Sequence, residues 1–211
     1  MKRFFLLIMA FGLTASLLHS CSEVEEVGEF DNWQGRNEAY TDSLSAATGD
    51  RRVPFTGSGS MVDAYPVGQL FALQSYASTA ASEQYVYCKK LSENPDGARP
   101  LYTESASVYY YGTFINGNRF DGNFEGYSAT DRGTLDADVK APTEFDAPIT
   151  FSVASSGLVS GWTTVLQYMR EGERWMVYIP WQSAYGDTDY NGIPAFSTLV
   201  FDIVLDEVVK D

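Results

Sequence analysis

Histidine is almost missing from this chain: its one copy, His19, lies within the first twenty residues. With that leader set aside, Ser-His-Asp, Cys-His and histidine-ligated metal chemistry are all excluded. Cysteine is nearly as scarce, with Cys21 and Cys88 alone. With no histidine left to activate it, a lone Cys88 reads as a buried thiol rather than a nucleophile. Positive charge is short too. Fourteen Lys and Arg face 28 Asp and Glu, for a net charge of -14 and a pI near 4.3. Such a balance argues against nucleic acid or an anionic lipid surface as partner. No apolar run is long enough to span a bilayer. Carboxylate-only chemistry, such as a glycosidase acid pair, survives these filters, but no spacing of acids suggests it.

The first residues have the order of a secretory signal: Lys2-Arg3, then an apolar stretch from Phe4 to Leu18. Leu18-His19-Ser20-Cys21 resembles the bacterial lipobox, in which the cysteine becomes the lipidated first residue. The plainer alternative is an ordinary cleaved signal with a chance cysteine. Residues 1–20 are therefore expected to be a lipoprotein signal peptide. Lipid on Cys21 would tether the chain to the outer membrane of a bacterial envelope, facing the periplasm or the surface. The acidic Ser22-Glu23-Val24-Glu25-Glu26 that follows resembles the export tags of some surface lipoproteins, and equally a solvated linker.

Residues 21–68 read as a tether and a helical extension. Asp31 or Asn32 can cap a helix whose Trp33, Tyr40 and Leu44 fall on one stripe, to pack on the domain or on a second copy. Thr48 to Ser60 is expected to be a loop. From residue 69 to 211 the pattern is mainly strands. Gln84 to Lys90 is β-prone, and Asn94-Pro95-Asp96-Gly97 is a turn. Ser107 to Phe114 reads as a strand joined through an Asn116-Gly117 hairpin to Arg119-Phe120-Asp121. Gly122 to Ala147 lacks apolar periodicity and reads as an inserted loop of the functional or mobile kind. Ile149, Phe151 and Val153 alternate on one strand face. Trp162, Val165, Leu166 and Met169 form the stripe of a short helix ended by Gly172. Arg174 to Ile179 and Thr198 to Val209 close the sheet. Leu199, Phe201, Ile203 and Leu205 share one face, opposite Val200, Asp202, Val204 and Asp206. The implied class is α+β.

Several blocks from Gly157 onward stand in a telling order: Gly157-Leu158-Val159-Ser160-Gly161-Trp162, Ile179-Pro180-Trp181-Gln182-Ser183-Ala184-Tyr185-Gly186, and Ile193-Pro194 through Leu199-Val200-Phe201-Asp202. With Val108 to Asp121, they resemble the FK506-binding-protein (FKBP) type of peptidyl-prolyl isomerase. The resemblance implies a curved antiparallel sheet wrapped on one short helix, here with an N-terminal extension and an insertion at about 122–147. It implies rotation about Xaa-Pro bonds of exported polypeptides, without cofactor or metal. It makes Trp162 the floor beneath a proline ring and Tyr110, Phe120 and Phe201 its aromatic walls, with Asp121 at the edge. The Tyr185 hydroxyl and the Val159 N–H would each hold a substrate carbonyl. Ile149, Leu158, Val159 and Ile193 would complete the apolar lining. Thr130-Asp131-Arg132-Gly133 resembles the family's Asp-Arg-Gly and makes Arg132 a binding residue. Ile149 stands where an aromatic is common, and the loop between Tyr185 and Phe201 is about one residue short. A non-catalytic chaperone or binding module on the same fold is the alternative. Oligomeric state is not legible.

Overall fold

The computed structural model describes residues 28–210, so the leader and Cys21 lie outside the described residues. Residues 28–31 form a turn in which the Asp31 carboxylate accepts the Gly28 N–H at 2.6 Å. Asn32–Asp211 is a separate compact unit.

That unit is built on one sheet. Its strands are β1 (Arg52–Val53), β2 (Leu70–Gln74), β3 (Tyr85–Ser92), β4 (Ser105–Thr113), β5 (Arg119–Gly122), β6 (Ile149–Ser152), β7 (Arg174–Ile179) and β8 (Leu199–Val209). They run in the order β1-β2-β3-β7-β8-β4-β5, with β6 also paired to β4. Every pairing is antiparallel except that of β1 with β2. Three helices accompany them: α1 (Trp33–Thr48), α2 (Gly59–Asp63) and α3 (Ser160–Leu166). The class is α+β, as the residue patterns imply.

Two departures from the sequence reading occur within the unit. Thr48 to Ser60 is not a plain loop, because Val53 is fully buried as part of β1 and α2 begins at Gly59. The helix α3 is also shorter than its apolar stripe. It stops at Leu166, and Met169 is buried from a turn in which its N–H still reaches the Val165 carbonyl.

The sheet is covered on both faces. Leu199, Phe201, Ile203 and Leu205 on β8 join α3 in the larger core, with Tyr110 from β4 and Trp175 and Val177 from β7. Val200 on the other face packs with Tyr87, Met176 and Tyr178, and Tyr127 from the inserted segment covers them. Tyr40 and Leu44 of α1, with Leu135 and Ala137 of the segment, complete this second core. A sheet with apolar side chains on both faces needs two covering layers, and 122–147 supplies part of the second.

The helix α1 adds polar bonds to the apolar packing of Trp33, Tyr40 and Leu44. The Trp33 indole N–H donates to Ser197 Oγ at 2.9 Å, and Asn37, fully buried, donates to the Trp33 carbonyl at 2.8 Å. Asn37 Oδ1 in turn accepts the Thr198 N–H at 2.7 Å. The expected stripe therefore packs on the domain itself. Asn32 occupies the N-cap position but makes no side-chain capping bond.

Candidate active site

The aromatic site begins with a hairpin. Gly117, at φ 90°, turns the chain after β4, and its N–H donates to the Phe114 carbonyl. Phe120 and Asp121 follow on β5. Gly112 of β4 has no side chain, and one could not be added: a Cβ there would lie 2.8 Å from Phe201 and 2.9 Å from Phe120. That missing methyl lets the two rings meet at 5.5 Å, edge to face.

Trp162 comes from α3 with Val159 at the N-cap. Its indole meets Phe201 at 5.2 Å and Tyr110 at 5.4 Å, each nearly perpendicular. Phe151 closes on Trp162 at 5.6 Å and on Tyr110 at 6.1 Å. Edge-to-face pairs of this kind stabilise by about 0.5–1.5 kcal/mol each beyond area burial. They also fix the orientation of an indole that has to present a flat apolar face. These rings belong to the larger core, against which Leu158, Val159 and Tyr185 pack and in which Ile193 is buried.

Tyr110, Phe120, Trp162 and Phe201 are thus brought together, and Leu158, Val159, Ile193 and Tyr185 share their core. Asp121 is beside them, exposed, with its carboxylate accepting the Gly122 N–H at 2.8 Å. Two expected residues are not. Ile149 is 41 % exposed and stays outside the cluster, and the aromatic contact from its strand is made by Phe151 two residues on. Arg132 lies on the other side of the sheet, exposed, where its charge acts on Tyr40 of the second core. The inserted segment carries it there: Tyr127, Ala137, Val139 and Lys140 are bonded to Asp202 and Arg174 on the back of β8 and β7, and Ala129 N–H donates to Thr113 Oγ1 at the end of β4. The basic group near Tyr110 is instead Arg119, whose charge works against the rise in the Tyr110 pKa.

Several members were not legible as members. Phe151 reads as an ordinary strand residue, although its period-2 face matched the site. Phe114 touches Phe120 at 5.0 Å and Trp33 of α1 at 5.9 Å, so the helical extension reaches the rear of the aromatic box. Tyr190 stacks on Tyr185, and its signal was the Asn191-Gly192 turn beside it.

The electrostatics keep the two phenols of the site in their neutral form. Burial, then the charge of Asp121 and the hydrogen bond to it, hold the Tyr110 phenol well above its ordinary range. Burial also raises Tyr185, helped by Tyr190 and Asp121. Both stay protonated at neutral pH. Among the described residues no group accepts the Tyr185 hydroxyl proton, and none accepts the Val159 N–H. Both are free to donate. Cys88 is fully buried, and burial raises its thiol pKa, which removes it as a nucleophile. Among the described residues no cluster of three or more His, Cys, Asp or Glu is placed to hold a metal. None of the described helices is long and apolar enough to cross a membrane.

The family model for FKBP-type peptidyl-prolyl cis-trans isomerases matches residues 97–206, just over half of the chain. The chain belongs to this family. The match takes in β4 through most of β8, and with them every ring of the aromatic box. A macrophage infectivity potentiator of Trypanosoma cruzi is 32 % identical over 142 residues, covering 66 % of this chain and 62 % of that protein. An outer membrane protein MIP of Legionella longbeachae is 33 % identical over 122 residues, covering 57 % of this chain and 43 % of that protein. The chain therefore spans less than two thirds of the length of either relative. A solved peptidyl-prolyl isomerase of Pseudomonas syringae superposes with a TM-score of 0.51 at 20 % identity, covering 87 % of this chain and 98 % of that one. That likeness is one of fold.

Proposed function

We propose that this FKBP-family protein catalyses cis-trans isomerisation of Xaa-Pro bonds in exported polypeptides. The observation that carries the reading is the box of Tyr110, Phe120, Phe151, Trp162 and Phe201, with two unpaired donors at its margin. An Xaa-Pro bond isomerises unaided over tens to hundreds of seconds, because rotation breaks amide resonance. No bond to a nucleophile is needed. The twisted amide has lost charge separation and is less polar than either planar form. An apolar wall stabilises it relative to the ground state, and each 1.4 kcal/mol of that preference gives about a tenfold rate.

In this reading the proline ring lies on Trp162, with Tyr110, Phe120 and Phe201 at its sides and Leu158 and Ile193 completing the lining. Tyr185 and the Val159 N–H hold the carbonyls that flank the rotating bond, so that rotation proceeds against a fixed frame. Asp121 keeps Tyr110 oriented. Ile149 is a rim residue at most, and Arg132 has no part.

We further propose that the chain works in the bacterial envelope, tethered by lipid at Cys21. The name of the Legionella relative and the Leu18-His19-Ser20-Cys21 motif support this placement. Labelling with a radioactive fatty acid tests it. Label lost in Cys21→Ser supports the anchor, and label kept or never taken up refutes it.

The enzymatic reading is tested by cis-trans relaxation of a short Xaa-Pro peptide with the folded protein. Acceleration over buffer is expected. Relaxation equal to buffer, from a sample with native circular dichroism, refutes catalysis and leaves a binding module on this fold.

A further inference from the structure

We propose that Tyr190 is a positioning residue for Tyr185, holding that ring so that its hydroxyl keeps one aim across the aromatic box. The inference rests on the isomerase reading above, in which Tyr185 donates to a substrate carbonyl. The two rings stack at 4.4 Å with only 12° between their planes, closer than the ring pairs around Trp162. Nothing holds the other end of Tyr185, whose hydroxyl has no partner among the described residues. Exposed side chains change rotamer within about picoseconds to nanoseconds, and the free side of Tyr185 would share that freedom without its stack. The stack removes that freedom from one face while the core packs the other.

Tyr190 is itself set by a two-residue hairpin. Its N–H donates to the Ile193 carbonyl at 2.9 Å, and the Ile193 N–H returns to the Tyr190 carbonyl at 2.8 Å. Between them Asn191 and Gly192 have φ of 46° and 85°. Positive φ at both central positions defines a type I′ turn, for which Asn-Gly is the favoured pair. The Asp189 carboxylate accepts the Ala195 N–H at 2.8 Å and closes the base of the loop. One arm of the hairpin, Ile193, is only 9 % exposed and fixed in the larger core. The other arm presents Tyr190 to Tyr185. Tyr190 remains 48 % exposed, so burial alone gives little reason for a large aromatic here. The stack does.

The test uses four variants of the full chain with a short Xaa-Pro peptide: Tyr190→Ala, Tyr190→Phe, Tyr185→Phe, and Tyr185→Phe with Tyr190→Ala. Tyr190→Ala is expected to lower kcat about three- to tenfold, the range of an aromatic pair, while KM moves less than about twofold. Tyr190→Phe keeps the stacked ring and restores most of the lost rate. In the Tyr185→Phe background, where there is no hydroxyl to aim, Tyr190→Ala costs less than about twofold further. No loss in Tyr190→Ala, or the same loss with and without the Tyr185 hydroxyl, overturns the proposal. Aromatic NMR without peptide separates it from the isomerase reading. The Tyr185 ring resonances should be shifted upfield in the native protein and in Tyr190→Phe, and averaged in Tyr190→Ala. If the native protein is inert towards peptide, the isomerase reading falls, and these spectra alone decide whether Tyr190 holds Tyr185. Tyr185 resonances that Tyr190→Ala leaves unchanged refute it.

Discussion

Arg174 and Asp202 form a two-pronged ion pair inside the protein, with Nε to Oδ1 at 2.9 Å and Nη2 to Oδ2 at 2.6 Å. Both side chains are essentially excluded from water. The remaining capacity of each is spent on the inserted segment. Asp202 Oδ2 accepts the Tyr127 N–H at 2.8 Å, and the Arg174 guanidinium donates to the carbonyls of Ala137, Val139 and Lys140. The Tyr127 and Phe124 rings flank the guanidinium at 5.1 and 5.7 Å. A pair on neighbouring strands β7 and β8 thus ties 122–147 to the back of the sheet.

Removing one partner should be far worse than removing both. Asp202→Ala leaves a buried guanidinium unpaired and the Tyr127 N–H without its acceptor, and it is expected to cost about 3–5 kcal/mol. The double change Arg174→Met with Asp202→Leu should recover much of that loss. Chemical denaturation midpoints check this. The pair lies on the face opposite Trp162, so peptide turnover per folded molecule should stay within about twofold of native. Equal destabilisation by the single and double changes would refute the account.

How much of this was legible beforehand depended on whether the signal was local. Trp162, Phe120 and Phe201 are placed by helix and strand periodicity together with one hairpin turn, and the residue pattern located them. Asp202 alternates with Phe201 and so reads as a residue of the opposite face, which it is. Its burial depends on a distant segment with no apolar period, which no strand pattern reports. Arg132 failed for the same reason. Its motif is local, but the path of 122–147 is set by bonds to Arg174, 42 residues further on. Asn37 recurs at helical spacing with Trp33 and Tyr40, but its burial was not legible, because a buried polar residue on a helix looks like a solvated one until its partner at Thr198 is known.

Trp162 should be required for turnover beyond its share of stability. Trp162→Ala removes the flat surface on which Tyr110, Phe151 and Phe201 converge, and peptide isomerisation should fall more than about tenfold. The same change opens a cavity costing about 3–5 kcal/mol. Leu205→Ala serves as the control, since Leu205 is fully buried in the same core but takes no part in the ring cluster. Comparable destabilisation with turnover retained is expected there. If both variants lose activity in proportion to stability, Trp162 is a core residue and no more.

Turnover should be flat from about pH 6 to 9. The only histidine lies in the leader, and the phenols of Tyr110 and Tyr185 are both held above the ordinary value of 10, burial being the first cause in each case. Stability follows with a definite sign. A phenol with a raised folded pKa contributes fully below its unfolded value of about 10 and loses that contribution as pH rises through the folded one. Tyr40 is pushed up to about 12 by burial, against the opposing charge of Arg132. Tyr178 is raised as well, by burial first. Denaturation midpoints should therefore hold up to about pH 10 and fall between about 10 and 12. A titration of activity near neutral pH would point to a group that this site does not contain.

The polar seam between α1 and β8 gives the last prediction. Asn37 is fully buried, donating to the Trp33 carbonyl and accepting from Thr198 N–H. Thr41 adds a hydroxyl contact to Thr198 at 3.2 Å. Three residues beyond Thr198 stands Phe201, and Trp33 itself touches Phe114 behind the box. Asn37→Ala orphans the Thr198 N–H and should cost about 1–3 kcal/mol. Asn37→Asp can still accept from Thr198 but faces the Trp33 carbonyl with a carboxylate, so it should not rescue. Hydrogen exchange reads the effect directly. In Asn37→Ala the Thr198 amide should exchange faster while that of Ile203, in the middle of β8, stays protected up to the global stability. Unchanged protection at Thr198 would mean that α1 only rests on the sheet.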